Sequence, residues 1–160
     1  MINVPQFIVH VIRPTLERLD LGDGRATEEL LLGTAIQESR LQYLHQLGSG
    51  PAQGVFQMEP ATYSDIWLNF LQYKPDLATR VNTLSIHGAQ GIDQLEANMY
   101  YACAMCRVHY RRVPAALPAQ GDLEAQAEYW KEHYNTYLGA GTVEEYIENY
   151  QEATFKLDWP

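Results

Sequence analysis

At 160 residues, 46% hydrophobic and 19% charged, the chain is long enough for one domain with a buried core and too apolar to be intrinsically disordered. Its net charge of −9 excludes functions that rest on non-specific attraction to nucleic acid or to an acidic membrane surface. Its two cysteines, Cys103 and Cys106, build no disulfide framework.

The first eleven residues carry no basic region, and Asn3, Pro5, Gln6 and His10 interrupt their apolar run. Neither a secretory signal peptide nor a bilayer-spanning segment is expected, so the expected place of synthesis is a cytoplasm. Residues 5–19 read as a first helix with Phe7, Val11, Leu16 and Leu19 facing inward and a kink or restart at Pro14. Leu21 to Gly24 is a turn, and a second helix is predicted over 26–41. A glycine-rich loop follows over 47–57; Gly48, Gly50 and Gly54 serve turns rather than a phosphate, because no Lys-Ser or Lys-Thr follows them. Pro60 suits the first turn of a helix reaching about residue 71, with Tyr63, Ile66, Trp67 and Phe70 as its apolar stripe. Another short helix opens at Pro75 and runs to about residue 84, followed by a loop over 87–91.

Residues 92–113 read as one long, central helix, apolar over more than one face. Cys103 and Cys106 fall within it as small core residues; the nearby His109, His87 and His133 match no zinc spacing. Arg107, Arg111 and Arg112 gather at its end, where they complement the helix dipole or meet a substrate carboxylate. After a proline-containing connection, Asp122 caps a helix to about residue 137, and Thr142 caps a last one to about residue 157. No run of alternating strand residues occurs, so the expected fold class is all-α or nearly so.

One carboxylate stands out against this pattern. Glu38 lies seven residues after Leu31 and three after Ala35, which puts it on their apolar stripe. Glu28 and Glu29 sit in the first turn of the same helix, where the dipole accommodates them. A carboxyl aimed into a partly apolar interior keeps its proton to higher pH and becomes a general acid at neutrality. The alternative is an end-of-helix carboxylate that swings out to pair with Arg40 or water.

Glu38-Ser39 is followed by Ser49-Gly50-Pro51-Ala52-Gln53-Gly54-Val55-Phe56-Gln57, by Pro60-Ala61-Thr62, and later by Tyr134-Asn135 with Gly139 and Gly141. This order resembles the lytic transglycosylases of the lysozyme superfamily, in the soluble-transglycosylase and goose-type lysozyme branch. Their pattern is Glu-Ser, then Ser-x-x-Gly-Ala-x-Gly-Leu-Met-Gln, Pro-x-Thr and Tyr-Asn-x-Gly. Pro51-Ala52 departs from the family's Gly-Ala, and the last glycine is displaced by a few residues. The resemblance spans roughly residues 26–140, with the first block its strongest part.

The resemblance implies a lysozyme-like helical domain around a central buried helix, occupying residues 1–160 as one domain. It implies a single catalytic glutamate, Glu38, acting on the bond between N-acetylmuramic acid and N-acetylglucosamine without cofactor or metal. Ser39, Ser49, Phe56, Gln57, Tyr134 and Asn135 match the family's substrate-binding positions. Ser39 would orient the helix end or touch the substrate, Gln57 would donate to a sugar or N-acetyl oxygen, and Tyr134 and Asn135 would hold the reacting ring from across the cleft. The implied partner is a peptidoglycan glycan strand. A leaderless, acidic chain of this kind also resembles bacteriophage-encoded members that accompany other virion proteins and open the wall. The charge of −9 suits delivery in a larger assembly better than free diffusion to an anionic wall.

Three alternatives stay open at this stage. Hydrolysis would need a second acid, and Glu59 and Asp65 are nearest in sequence. A lysozyme-like structural or glycan-binding protein would have lost turnover, and a helical interaction module would carry the motif by coincidence. Tyr43, Phe56, Tyr63, Trp67 and Trp130 could offer flat faces to sugars, although aromatic residues at helical spacing belong first to the core.

Overall fold

The computed structural model describes residues 1–22, 24–88, 90–135 and 139–160, His87 by its backbone only. Helices dominate the described residues, in keeping with the expected all-α class. β-Pairing among the described residues is confined to the isolated antiparallel bridges His45–Gln53 and Gln53–Met58.

The chain begins with α1 (Val4–Phe7), whose N-cap Asn3 accepts from the Gln6 amide at 3.2 Å. A π-helical turn, Ile8–Ile12, leads directly into α2 (Arg13–Leu19). Pro14 explains this turn. It has no N–H to offer the carbonyl one helical turn back, and the widened turn admits its ring, with the Arg13 amide reaching the Ile8 carbonyl instead. The extra residue rotates the inward stripe, so Ile8 and Ile12 are buried while Val11, expected inside, is half-buried.

α3 (Arg25–Ser39) is buried at nearly every position from Thr27 to Ile36. Its Leu30, Leu31, Leu32 and Ile36 lie in the main core, where each buried side chain is worth about 1.5–3 kcal/mol. Gly33 allows α9 (Val143–Ala153) to close on it, because a β-carbon there would overlap the Tyr146 ring and hydroxyl. α4 (Pro60–Asn69) and α5 (Pro75–Thr83) follow the intervening loop, each opening on its proline as expected.

The single helix expected over 92–113 is two. α6 (Gln94–Ala97) ends at Asn98, whose extended backbone (φ −141°, ψ 101°) breaks the run. The Asn98 side chain accepts from the Tyr101 amide at 3.2 Å and donates to the Leu84 carbonyl at 2.8 Å, so it caps α7 (Met99–Arg111). α7 shares the central position with α3: the Thr34 and Tyr110 hydroxyls join the two helices at 2.8 Å. Cys103 and Cys106 are free and buried in this core. Burial pushes the Cys103 thiol up to about 12.

α8 (Leu123–Trp130) is capped by Asp122 and continues into a π-helical turn, Lys131–Asn135. The residues that would extend it to 137 lie outside the described ones, as do residue 23 of the expected turn and residue 89 of the expected loop. Thr142 and Glu145 form a capping box on α9, which ends at Ala153, earlier than expected.

Candidate active site

Helix α3 carries Glu38 in its last turn, where the stripe of Leu31 and Ala35 leads into the interior. The carboxyl does not turn outward to Arg40. Its Oε1 accepts a hydrogen bond from the Trp130 indole at 2.9 Å. Trp130, 1% exposed, is held by α8 against Tyr146, with ring centroids 5.3 Å apart. Burial pushes the Glu38 carboxyl up to about 7, and the indole hydrogen bond, which favours the charged form, only partly opposes this. Near neutral pH the carboxyl therefore exchanges between its protonated and ionised forms.

Glu38 lines a cleft of about 830 Å³. Its lining comes from the end of α3 (Gln37 and Arg40), from the loop after it (Tyr43, Gln57 and Met58), and from His109 of α7 with Tyr134 and Asn135 of the π-helical turn after α8. The loop's shape depends on Gly54, with φ 74°, whose missing β-carbon would otherwise press on the Leu95 carbonyl. Its amide donates to the Leu44 carbonyl at 2.8 Å, and its own carbonyl accepts from the Gln57 amide at 2.9 Å and the Gln57 side chain at 2.8 Å.

The residues expected to bind substrate divide between cleft and scaffold. Gln57, Tyr134 and Asn135 line the cleft, but each also holds the structure around it. Tyr134 donates its hydroxyl to the Phe56 carbonyl at 2.7 Å, bolting the π-helical turn to the loop. Asn135 accepts from the Lys131 ammonium at 2.7 Å, and the same ammonium donates to the carbonyls of Gly139 (2.9 Å) and Gly141 (2.7 Å).

Ser39 takes the first of its two expected roles, and the placements of Phe56 and Ser49 need correction. Ser39 borders the cleft, but its side chain is 1% exposed and its hydroxyl donates to the Val55 carbonyl at 2.7 Å while accepting from the Leu41 amide at 3.2 Å. It orients the helix end and has no free group for a ligand. Phe56 is also 1% exposed and packs against Phe7 in the core, away from the cleft. Ser49 is exposed on the loop and does not line the cleft. Of the aromatic faces considered for sugars, Tyr63, Trp67 and Trp130 are interior, and Tyr43 alone lines the cleft with substantial exposure.

Two of the three arginines at the end of α7 are likewise structural, and Arg111 is exposed and does not line the cleft. Arg107, 3% exposed, donates to the Leu21 carbonyl at 3.2 Å. Arg112 pairs with Asp65 at 2.5 Å and donates to His109 Nδ1 at 2.7 Å. A guanidinium has only protons to give, so Nδ1 accepts and the His109 proton sits on Nε2, which donates to the His133 carbonyl at 2.9 Å. Burial and Arg112 bring His109 down to about 4. The ring stays neutral while Glu38 titrates and stacks edge-on to Tyr134 at 5.0 Å. Asn69 and Arg112 hold the Asp65 carboxyl below its usual range, and it lies outside the cleft; Glu59 lines it.

Trp130 as the partner of Glu38, Lys131 as a clamp and His109 as part of the lining were not foreseen. The Glu38–Trp130 pair joins residues 92 apart, and no local periodicity encodes such a pairing. Among the described residues no group of three or more His, Cys, Asp or Glu is placed to hold a metal ion. No helix among them is long and apolar enough to cross a membrane. No protein family, curated protein or solved structure matches the chain.

Proposed function

We propose that the protein is a peptidoglycan lytic transglycosylase with Glu38 as its single acid and base. The observation that carries this reading is a half-buried carboxyl, paired with no cation among the described residues, raised to about 7 and opening into a cleft of about 830 Å³. That volume is of the size that takes a few sugar rings. The motif order around Glu38 supplies the substrate class.

In this reading Glu38 Oε1 stays fixed by Trp130 and the other carboxyl oxygen carries the proton toward the cleft. The proton passes to the glycosidic oxygen as the C1–O bond breaks, and the leaving sugar departs as an alcohol. The substrate's own N-acetyl oxygen stabilises the positive charge at C1, the task that a second carboxylate performs in other glycosidases. Glu38, now ionised, takes the proton from the 6-hydroxyl of the muramic acid ring. That oxygen closes on C1 to give the 1,6-anhydro product and restores the acid. A value near 7 suits both halves of the cycle, because one group must give a proton and then recover one.

Glu59, on the same cleft, favours one second reading: lysozyme-like hydrolysis, with Glu59 activating water. Digestion of purified peptidoglycan followed by mass spectrometry separates the two. Anhydro ends are expected, reducing ends would point to hydrolysis, and no release from a folded protein would overturn both. Glu38→Gln, which keeps an oxygen for the Trp130 indole, should lower turnover by at least ~10²-fold, the lower end of a general acid's contribution.

A further inference from the structure

At the end of α3 one cationic residue is not used by the chemistry above. Arg40 is the C-cap of α3 and is held in the left-handed region, φ 54° and ψ 21°. Glycine is usual at such a turn, because a side chain there costs about 1 kcal/mol. Leu41 (φ 52°) and Gln57 (φ 45°) share this conformation, and their side chains have structural uses: Leu41 is buried, and Gln57 bonds the Gly54 carbonyl. Arg40 has no such use.

Its side chain is half-buried at the cleft and makes no hydrogen bond or ion pair with any described residue. Four of the other arginines pair with acids: Arg13 with Glu28, Arg25 with Glu29, Arg80 with Asp20 and Arg112 with Asp65. Arg40 does not pair even with Glu38, two residues away, whose carboxyl responds to burial and Trp130 alone. Arg18 and Arg111 also lack an ion pair with any described residue, but both are exposed and neither lines the cleft. Arg40 is the one Lys or Arg among the described residues lining the cleft. The helix dipole favours a cation near this end but gives no reason to place it in a left-handed turn facing the cleft.

We propose that Arg40 is a specificity residue that binds a carboxylate of the glycan strand beside the bond Glu38 cleaves. A guanidinium takes a carboxylate through two parallel N–H bonds, and partial burial strengthens them. The inference rests on the transglycosylase reading and narrows it to strands carrying a carboxylate at that position. Two sources share this chemistry: the lactyl carboxylate of muramic acid on peptide-free strands, and the carboxylates of the stem peptide on peptide-bearing ones.

The test compares wild type, Arg40→Lys and Arg40→Gly on peptide-free and peptide-bearing strands, each with its carboxylates free or methyl-esterified. Arg40→Gly keeps the left-handed turn and removes its strain, so it should melt no lower than wild type. It should lose roughly ten- to hundredfold in kcat/KM on free-carboxylate strands and little on esterified ones. Arg40→Lys should recover part of the loss, since it keeps the charge without the fork. A loss on peptide-free strands alone assigns the lactyl carboxylate, a loss on peptide-bearing strands alone assigns the stem, and a loss on both means that Arg40 takes whichever carboxylate the strand presents. Equal loss on free and esterified strands, or no loss on either, overturns the proposal. Wild-type cleavage of native peptidoglycan is the separate control: its absence overturns the functional reading and this inference with it, whereas unselective turnover overturns the inference alone.

Discussion

Glu29 and Glu38 lie on the same helix, and their surroundings give them opposite tasks. Glu29, 2% exposed, accepts from Arg25 (2.7 Å), the Gly121 amide (2.7 Å) and Gln126 (2.9 Å), so its charge is compensated in place. Glu38 has one neutral donor, and its proton is the cheaper way to satisfy it. This has a thermodynamic consequence. With a folded-state value of about 7 against an ordinary 4.5, the folded protein holds the Glu38 proton more tightly than the unfolded chain. Its contribution to stability is therefore complete below about pH 4.5 and is lost as pH rises through about 7, a difference of about 3 kcal/mol by linkage. Glu38→Gln cannot titrate, so the variant should gain on wild type by up to that amount between about pH 5 and pH 8. Urea denaturation at the two pH values measures it; a gap that does not change with pH means the carboxyl is solvated. The position of Glu38 on its apolar stripe was legible in the sequence, because helical periodicity is local information. The compensation of Glu29 was not, since its partners Gly121 and Gln126 come from another part of the chain.

The cleft is assembled from an ending helix, a loop and a π-helical turn, and a few polar bonds fix them to one another. Ser39 carries the first junction: its hydroxyl stitches the last turn of α3 to Val55 and supports the left-handed Leu41 amide. Ser39→Ala would leave the Val55 carbonyl and the Leu41 amide without that partner inside the protein. The expected cost is about 1–3 kcal/mol in chemical denaturation. Activity on peptidoglycan should fall with it while the pH at which activity is half-lost stays put, because Ser39 positions the loop and does not touch the Glu38 proton. A displaced pH profile would instead place Ser39 in the chemistry. The helix caps at Asp122 and Thr142 were readable, since a cap and the turn it closes lie within four residues. The break at Asn98 carried the same kind of signal, an asparagine before an apolar run, but the continuous periodicity around it masked the interruption. The π-helical turn before Pro14 shows the limit of such reading: the proline announces a disturbance, and packing decides whether it is met by a kink or by an added residue.

At the scale of the whole molecule, an acidic protein is proposed to act on an acidic polymer. The all-α class followed from helical periodicity without strand alternation, and the sign of the charge could be read at once. What the sequence could not place is where the few cations go. Folding pairs Arg13, Arg25, Arg80 and Arg112 with acids and leaves Arg40 at the cleft, so the site keeps one local guanidinium while the net charge of −9 keeps the field seen from a distance negative. These two fields act over different ranges. Repulsion from a net charge of −9 acts over the Debye length, about 30 Å at ~0.01 M salt and about 8 Å at ~0.15 M, whereas a guanidinium–carboxylate contact in a partly buried cleft is screened far less. Raising salt across that interval should therefore increase kcat/KM on native peptidoglycan, through faster association, while kcat changes little. The dependence should flatten once the Debye length falls below the dimensions of the cleft. A rate that falls steadily with salt would mean that attraction, not repulsion, governs approach, against the sign of the net charge.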